Sequence, residues 1–312
     1  MSALTPRALR TRWSVQRLVR FGGGQEAEPW SAEAVTGRAV GAMGLRFPAP
    51  LLLAAGFDRR GELLAHAGAL GLGGVETGSH RCVPGMPPLL TIAAWRRRQR
   101  SYPAQFASQS IHGLSLVVPS AEIGSTPALS PSASAQRRRA ELLCRALVAW
   151  HSGADYVVLN PGRSGATAAE CAELLAALAE LRDRLPRAQR LALVVKLPAR
   201  WIEAWSADRG LEAWGRRLVA AGADGLLVSA EGAAQHACAR LAALAAALEP
   251  RVCLISVGGI DSVRTAEARL AAGARLVQVH RAALGAVARV LPLLAGLGAR
   301  APQGRGAVRP PA

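Results

Sequence analysis

Short apolar runs alternate with helical stretches from residue 50 onward, and no other feature of the chain constrains its fold as much. Seven runs rich in Val, Leu and Ile have the composition of buried strands; they lie at 51–56, 73–77, 155–160, 192–197, 224–229, 252–257 and 275–280. An eighth strand is expected near 104–118. Continuous apolar strands separated by helices are typical of a parallel sheet that is covered on both faces.

Segments rich in Ala, Leu and Arg fill the intervals between these strands and have helical character; they lie at 61–70, 137–151, 167–185, 208–221, 233–248, 263–272 and 282–297. Each of the later intervals has room for one crossover helix. Repeated strand–helix units of this number fit a closed barrel better than an open sheet. We therefore predict the α/β class and, within it, a (β/α)8 TIM barrel of parallel strands.

The pattern divides the 312 residues into three parts. Residues 1–40 form a basic N-terminal extension, residues 41–297 form the barrel, and residues 298–312 form a tail that is expected to be disordered. Residues 119–136 are predicted to be a loop. The arginines of the extension surround Trp13 and Leu18, which suits either an amphipathic helix on an anionic membrane surface or a solvated helix that caps the barrel.

The lengths of the apolar segments indicate the cellular compartment in which the protein is expected. No apolar run approaches the roughly 20 residues needed to cross a bilayer. The N-terminus lacks the continuous apolar stretch of a secretory signal. We therefore expect a cytoplasmic protein, whose basic extension would make any peripheral contact with the inner face of the membrane.

Charge and cysteine content narrow the partners. The net charge of +17 favours anionic ligands or surfaces. Nucleic acid is not expected, because aromatic residues are only 4% of the chain and no nucleic-acid-binding motif accompanies the charge. The five cysteines are scattered singly, a pattern that is typical of reduced thiols and gives no support for a metal site.

Two residue types occur once each, and both lie at the end of a predicted strand. Lys196 is the single lysine among the 38 Lys and Arg residues, and Asn160 is the single asparagine. An ammonium group is a compact charge on a slim stem, which an arginine does not reproduce beside a ligand. Either a site at the strand ends requires these two residues, or their positions are an accident of an Arg-rich composition.

The last two predicted strands end in residues that suit phosphate. Gly258 and Gly259 follow the strand at 252–257, and His280 and Arg281 lie at the end of the strand at 275–280. Phosphate is commonly held by these two loops in TIM barrels. Paired glycines let backbone N–H groups approach its oxygens closely. The alternative is a tight turn followed by a surface arginine.

With these motifs in place, the chain resembles the dihydroorotate dehydrogenases, which are flavoprotein barrels. Its spacing is similar to that of their quinone-linked, class 2 branch. The matching motifs occur in the family's order: PLLLAAGFDRRGE (50–62), GLGGVETGS (71–79), HGLS (112–115), ADYVVLN (154–160), LVVKLP (193–198), GADGLLVS (222–229), SVGGI (256–260) and AGARLVQVHRAAL (272–284). The resemblance implies oxidation of dihydroorotate to orotate in pyrimidine biosynthesis, with FMN as cofactor and quinone as electron acceptor.

The resemblance also implies which residues contact FMN. Lys196 matches the lysine that donates to the pyrimidine edge of the flavin, where a cation stabilises the negative charge of the reduced ring. Asn160 matches an asparagine shared between flavin and substrate. The complete set of implied cofactor contacts is Ala54, Ala55, Gly56, Arg59, Ser79, Asn160, Lys196, Gly258, Gly259, His280 and Arg281.

The substrate side departs from the family's pattern. The family reads roughly NVSSPN after the strand that ends in Asn160, and this chain reads NPGRSGA. Arg163 therefore takes the position of the serine that removes the substrate proton, and Ser164 follows one residue late. Arginine stays protonated and is no base. We expect Ser164 to be the catalytic base, and Asn160 and Arg163 to contact the substrate.

Other departures affect both ligands. Two asparagines that hold the orotate ring in the family are absent, and Ser110 and Ala230 or Glu231 lie near their places. The excursion after the sixth barrel strand, which brings a further glycine loop to the flavin phosphate, is largely deleted between Gly232 and the strand at 252–257. The family also has Lys at residue 59 and Tyr-Thr at residues 280–281.

Two functional hypotheses remain from the sequence. The chain is either an FMN-dependent oxidoreductase of the dihydroorotate dehydrogenase type, or a diverged paralogue that binds FMN or another phosphorylated ligand without oxidising dihydroorotate. A barrel that only binds partners through its positive surface has no motif in its favour.

Overall fold

Eight parallel strands close into a barrel, and an antiparallel hairpin precedes them. The structure is a computed structural model and describes residues 39–58, 61, 63–64, 67, 72–82, 111–120, 133–162, 164–207, 210–232 and 234–280. From the strand at Ile111–Val117 onward, at least one described helix lies between each pair of successive strands, on the outside of the barrel. The predicted (β/α)8 TIM barrel is confirmed.

The strands follow one another around the barrel in chain order, and the last closes on the first. The hairpin consists of β1 (Val40–Ala42) and β2 (Leu45–Phe47). The barrel strands are β3 (Leu51–Leu53), β4 (Gly74–Arg81), β5 (Ile111–Val117), β6 (Tyr156–Asn160), β7 (Ala192–Leu197), β8 (Gly225–Ser229), β9 (Cys253–Val257) and β10 (Leu276–Val279). Each barrel strand overlaps a predicted one, and β5 is the strand expected near 104–118.

The described helices are α1 (Ala133–Trp150), α2 (Ala168–Arg184), α3 (Ala199–Ala207), α4 (Leu211–Ala220), α5 (Ala237–Ala247) and α6 (Val263–Ala271). All but α3 overlap a predicted helix. The sequence prediction misses α3, which directly follows Pro198. This proline opens the helix, since its carbonyl accepts hydrogen bonds from the N–H groups of Trp201 and Ile202, and proline is tolerated in a first turn.

Side chains along β6, β7, β8 and β9 alternate between two buried clusters. On β6, Tyr156 and Val158 belong to the cluster that also contains Phe47 of the hairpin. Val157 and Leu159 belong to the cluster that includes the surrounding helices. This is the two-residue repeat of a β-strand. The first cluster therefore fills the barrel interior, and the second packs between the barrel and the helices that surround it.

The hairpin was not predicted, because its strands have three residues each and carry little periodic signal. Its turn uses positive φ at Met43 (55°) and Gly44 (74°), the backbone geometry that suits a two-residue hairpin. The buried Phe47 ring lies 6.3 Å from the Tyr156 ring, centroid to centroid. The hairpin thereby covers the end of the barrel interior at which the strands begin.

Several sequence expectations lie outside the described residues. They are the basic extension up to residue 38, most of the helix at 61–70, the loop at 121–132, the helix at 282–297 and the tail at 298–312. Among the helices that are described, none is long and apolar enough to cross a membrane.

Replacing Gly113 of β5 with alanine tests the packing of the barrel interior. A Cβ atom at this position would lie within 2.6 Å of the Tyr156 ring, whereas one at Gly41 would meet nothing within 4 Å. We expect Gly113→Ala to lower the free energy of unfolding by about 1–3 kcal/mol, the usual range for overpacking, and Gly41→Ala to change it by less than about 0.5 kcal/mol. Chemical denaturation measures both; equal effects would contradict the packing described here.

Candidate active site

The alternation of side chains continues to the carboxyl ends of the strands. Asn160 and Lys196 lie two residues beyond Val158 and Val194, which belong to the interior cluster. The strands are parallel, so their carboxyl ends meet at one face of the barrel, where TIM barrels carry their active sites. This face is called the barrel mouth below.

A cavity of about 560 Å³ opens in the barrel mouth. It is called the mouth cavity, and its lining combines small residues, amides, carboxyl groups and one lysine. The lining residues are Ala54, Ala55, Glu76, Lys196, Leu227, Ser229, Ala230, Glu231, Gly232, Ala234, Gln235, Val257, Gly258, Gly259, Ile260, Asp261, Gln278 and His280. The structure thus brings together six of the predicted site residues: Ala54, Ala55, Lys196, Gly258, Gly259 and His280.

Two glycines shape one end of the mouth cavity. Gly258 and Gly259 have φ angles of +97° and +68°, a left-handed backbone that favours glycine. A Cβ at Gly258 would lie 3.0 Å from the backbone nitrogen of Glu231, and one at Gly259 would lie 2.9 Å from the Cβ of Ala234. Glycine at both positions therefore lets the loop after β9 lie directly against the loop after β8.

Small residues after β3 leave room at another side of the mouth cavity. The Ala54 N–H donates to the Val279 carbonyl at 2.9 Å, and the Gly56 N–H donates to the Gly78 carbonyl at 2.6 Å. Gly56 has a φ of +88°. A Cβ there would lie 3.8 Å from Nε2 of His280, so this segment passes close to the end of β10 without side chains in between.

Lys196 and Glu76 are the charged groups that the strands contribute to the mouth cavity, and Glu231 and Asp261 add two carboxyl groups from the loops after β8 and β9. Lys196 is the only Lys or Arg among the described lining residues. Glu76 is 1% exposed and accepts a hydrogen bond of 2.6 Å from Nε2 of Gln278. Burial raises the pKa of Glu76 to about 7, although Gln278 and Lys196 act to lower it. The cavity therefore holds a carboxyl that is only partly ionised near neutral pH.

Sequence reasoning missed both Glu76 and Gln278. A signal for the first was present, since Glu76 is the one acidic residue in the strand sequence GVETGSHR. A carboxyl at such a position must be paired or hydrogen-bonded in the core. Gln278 gave a weaker signal, because a glutamine in an apolar strand is as easily expected at the surface.

Asn160 and Ser79 contact each other. Nδ2 of Asn160 donates to Oγ of Ser79 at 3.4 Å, and Oδ1 of Asn160 accepts from the Gly162 N–H at 3.0 Å. Neither residue is part of the lining of the mouth cavity. The amide of Asn160 therefore fixes the start of the loop after β6 and links it to the end of β4.

A further buried polar residue, Ser115, went unrecognised in the sequence; it lies in β5 beside Val158 of the interior cluster and is not part of the lining of the mouth cavity. It pairs with Gly78 across the sheet and lies two residues beyond Gly113, which faces Tyr156 in the interior. Its Oγ is fully buried and has no hydrogen-bond partner among the described residues. An unsatisfied buried hydroxyl costs about 1–3 kcal/mol, so a ligand atom that pairs with Ser115 would recover this energy.

Ser164, the predicted base, turns into its own loop. Its hydroxyl donates to the Pro161 carbonyl at 2.6 Å and accepts from the Ala166 N–H at 3.2 Å. The residue is 9% exposed and does not belong to the lining of the mouth cavity. In this arrangement, the hydroxyl shapes the turn that leads into α2.

Two arginines hold this loop from its flanks. Arg139 of α1, whose side chain is 3% exposed, donates to the Ser164 carbonyl at 3.4 Å and to Oε1 of Glu170 at 3.3 Å. Arg200 of α3 donates to the Gly162 carbonyl at 2.7 Å. The loop after β6 is therefore held at two carbonyl groups, and reorienting Ser164 would disturb both contacts.

Four residues of the sequence analysis lie outside the described residues. They are Arg59, Arg163 and Arg281, which were expected to contact cofactor or substrate, and Ser110, which lies near the place of a family asparagine. Their roles stay predictions.

Comparisons with known proteins agree on one family. No protein-family model matches the chain. The dihydroorotate dehydrogenase (quinone) of Leifsonia xyli subsp. xyli is 31% identical over an alignment that covers 79% of this chain and 80% of the relative. The dihydroorotate dehydrogenase (quinone) of Thermobifida fusca is 30% identical, with 77% and 73% covered.

Solved structures agree with the fold. The ligand-free dihydroorotate dehydrogenase of Eimeria tenella superimposes with a TM-score of 0.69 at 16% identity, covering 94% of this chain and 93% of that one. Its complex with ferulenol gives a TM-score of 0.64, with 91% and 88% covered. At this low identity, the structural likeness supports the barrel fold alone.

Proposed function

Since this chain belongs to the dihydroorotate dehydrogenase family, we propose that it is an FMN-dependent oxidoreductase of that type, with quinone as its electron acceptor. One observation carries the proposal. The mouth cavity joins the only lysine of the chain to a pair of left-handed glycines. A cation at one end and close backbone at the other suit a ligand with an electron-rich ring and a phosphate.

The first test is whether the end of the mouth cavity at Gly258 and Gly259, called the phosphate end, suits a phosphate group. Gly258 and Gly259 let two loops approach so closely that a Cβ would collide with backbone at one position and with Ala234 at the other. Backbone N–H groups of glycine loops are suited to phosphate oxygens. Glu231 and Asp261 also line the cavity, so the phosphate must be held by backbone donors and kept apart from these carboxylates.

The second test is whether the end of the mouth cavity at Lys196, called the ring end, suits a flavin ring. Ala54, Ala55 and Gly56 leave space beside β3, and Lys196 offers a donor with a compact charge. Ser115 supplies a buried hydroxyl that needs a partner. Bound FMN would supply the acceptor for the two electrons of a hydride. The residues of the chain would bind and orient it, and Lys196 would stabilise the negative charge it gains.

The substrate side rests on Asn160, Arg163 and Ser164. In this proposal, Arg163 binds the substrate carboxylate, since a guanidinium pairs with a carboxylate through two hydrogen bonds. Ser164 takes the substrate proton at Oγ while its own hydroxyl proton passes to a water molecule. For this step Ser164 must give up its bond to the Pro161 carbonyl and turn towards the barrel mouth.

A second candidate function follows from that requirement. The hydroxyl of Ser164 is committed to its own loop, and Arg139 and Arg200 hold the same loop. This arrangement favours a diverged paralogue that binds FMN or another phosphorylated ligand without oxidising dihydroorotate. The chain also lacks several hydrogen-bond partners of the orotate ring. Each lost partner weakens binding of that ring by about 1–3 kcal/mol, which likewise favours the paralogue that does not oxidise dihydroorotate.

The proposal also covers the division of the chain into a barrel and two terminal segments. Residues 41–297 would form the flavin-binding barrel and residues 298–312 a disordered tail. Residues 1–40 would bring a cytoplasmic protein to the anionic inner face of the membrane, where quinone is dissolved. The names of the relatives, which specify quinone, support this arrangement for the acceptor.

The absorbance spectrum of the purified protein tests the proposal. We expect a yellow protein that releases FMN on denaturation. A colourless protein that takes up no FMN on reconstitution would contradict both candidate functions as far as they involve flavin, and would leave a barrel for another phosphorylated ligand.

Replacing Lys196 tests the ring end. Lys196→Met removes the charge that offsets the reduced ring, so we expect weaker FMN binding or a lower reduction potential of the bound flavin. Lys196→Arg should also impair binding, because the planar guanidinium is bulkier than an ammonium and differently hydrated. Flavin titration and potentiometry measure both effects. A Lys196→Arg protein with unchanged FMN affinity and potential would mean that the single lysine is an accident of composition.

Replacing Ser164 separates the two candidate functions. If Ser164 is the base, Ser164→Ala should slow anaerobic flavin reduction by dihydroorotate by about 10² or more, the usual scale of a lost general base. Its FMN content should stay unchanged, since the hydroxyl is outside the mouth cavity. Wild-type flavin that dihydroorotate does not reduce, but that dithionite does, would instead support the non-oxidising paralogue.

A further inference from the structure

Glu76 is a buried carboxyl within the mouth cavity, and the proposed function gives it no role. It lies in the middle of β4 and is 1% exposed. Its hydrogen-bond donor is the amide of Gln278, which is also 1% exposed. Both residues line the same cavity as Lys196, so a carboxyl group and an ammonium group share one space.

Burying a carboxyl in an apolar barrel is costly unless the charge has a purpose or a partner. Glutamine or an apolar residue at position 76 would avoid this cost. Gln278 contributes a neutral donor, so it holds the carboxylate in place without cancelling its charge. The remaining opposite charge is Lys196, whose attraction acts to lower the pKa of Glu76.

We propose that Glu76 is a positioning residue that sets how strongly the charge of Lys196 acts on the bound cofactor. This inference rests on the proposed flavin binding. When Glu76 is ionised, its negative charge opposes the ammonium inside a cavity where charges are poorly screened. When Glu76 is protonated, Lys196 acts alone, and electron-rich reduced flavin is favoured more strongly.

The groups that face Glu76 allow the two states to be compared. They are Lys196 of β7, Gln278 of β10 and Tyr156 of β6. Burial and the nearby Glu76 raise the pKa of Tyr156 well above its ordinary value of 10, so the phenol stays neutral near pH 7. His280 lines the same cavity. It is unchanged in all the variants compared, so it does not contribute to the differences between them.

The reduction potential of bound FMN tests the inference. Glu76→Gln keeps the shape of the side chain and can still accept from Gln278, but it removes the charge. At about pH 8.5, above the pKa of Glu76, we expect the variant to favour reduced flavin about tenfold more than the wild type, which is about 30 mV for a two-electron couple. At about pH 5.5, where Glu76 is protonated, we expect no difference.

Two controls separate this effect from a general loss of charge or stability. Glu141→Gln removes one exposed carboxylate of α1 and should leave the potential unchanged at both pH values. In a Lys196→Met background, Glu76→Gln should shift the potential less than in the wild-type background, because Glu76 ionises less readily without the nearby ammonium. A purely structural Glu76 would change the unfolding free energy and leave the difference in potential between Glu76→Gln and the wild type independent of pH.

A second measurement needs no cofactor. In protein labelled with carbon-13 at glutamate carboxyls, the resonance missing from Glu76→Gln identifies Glu76. We expect it to titrate near neutral pH, and Lys196→Met should move its midpoint to higher pH, because the attraction of the ammonium is removed. An unmoved midpoint would overturn the pairing of the two residues.

Together the outcomes are distinguishable. A moved midpoint with the pH-dependent difference in potential supports the inference. A moved midpoint with equal potentials of Glu76→Gln and wild type at each of the two pH values overturns it and leaves FMN binding intact. A wild-type protein that binds no FMN contradicts the proposed function, and the role of Glu76 towards the cofactor falls with it, whatever the carbon-13 titration shows.

Discussion

The side chains that the strands contribute to the barrel mouth are positioned by the two-residue repeat of each strand. Val158 and Val194 belong to the interior cluster, so Asn160 and Lys196 lie on the same side of their strands at the carboxyl ends. A shift of one residue in either strand would bury these polar groups against the helices. The apolar interior therefore specifies the position of the polar site, and any chemistry of the chain depends on this register.

The barrel mouth keeps the residue types expected around a cofactor and alters those expected around a substrate. The mouth cavity, where we propose that the cofactor binds, has small residues after β3, a lysine at the end of β7 and left-handed glycines after β9. The loop after β6, where we propose that the substrate binds, has its Ser164 hydroxyl bonded to Pro161 and Ala166 and two of its carbonyls bonded to Arg139 and Arg200. Among the described residues of this loop, the hydroxyl of Ser164 and the carbonyls of Gly162 and Ser164 already have partners within the protein. For this reason the two candidate functions differ in whether dihydroorotate is oxidised.

The fold could be predicted from the sequence because continuous apolar strands and intervening helices leave few alternatives. Short elements were missed: the hairpin at 40–47 has too few residues for a periodic signal, and α3 begins at a proline that reads as a break. Within the site, the strand ends placed Lys196 correctly, since register alone decides its side. The direction of Ser164 could not be predicted, because it depends on a turn closed by Pro161. Glu76 was overlooked because its importance comes from its distance to Gln278, which is 202 residues away in the chain.

The central claim is that the barrel mouth binds a flavin through both its ring end and its phosphate end. Titrating the apoprotein with FMN and with riboflavin, which lacks the phosphate, tests this claim most directly through the quenching of flavin fluorescence. Charge-assisted hydrogen bonds to the phosphate are worth about 1.5–3 kcal/mol each, so FMN should bind at least about tenfold more tightly than riboflavin. Equal affinities, or no binding of either flavin, would contradict the account.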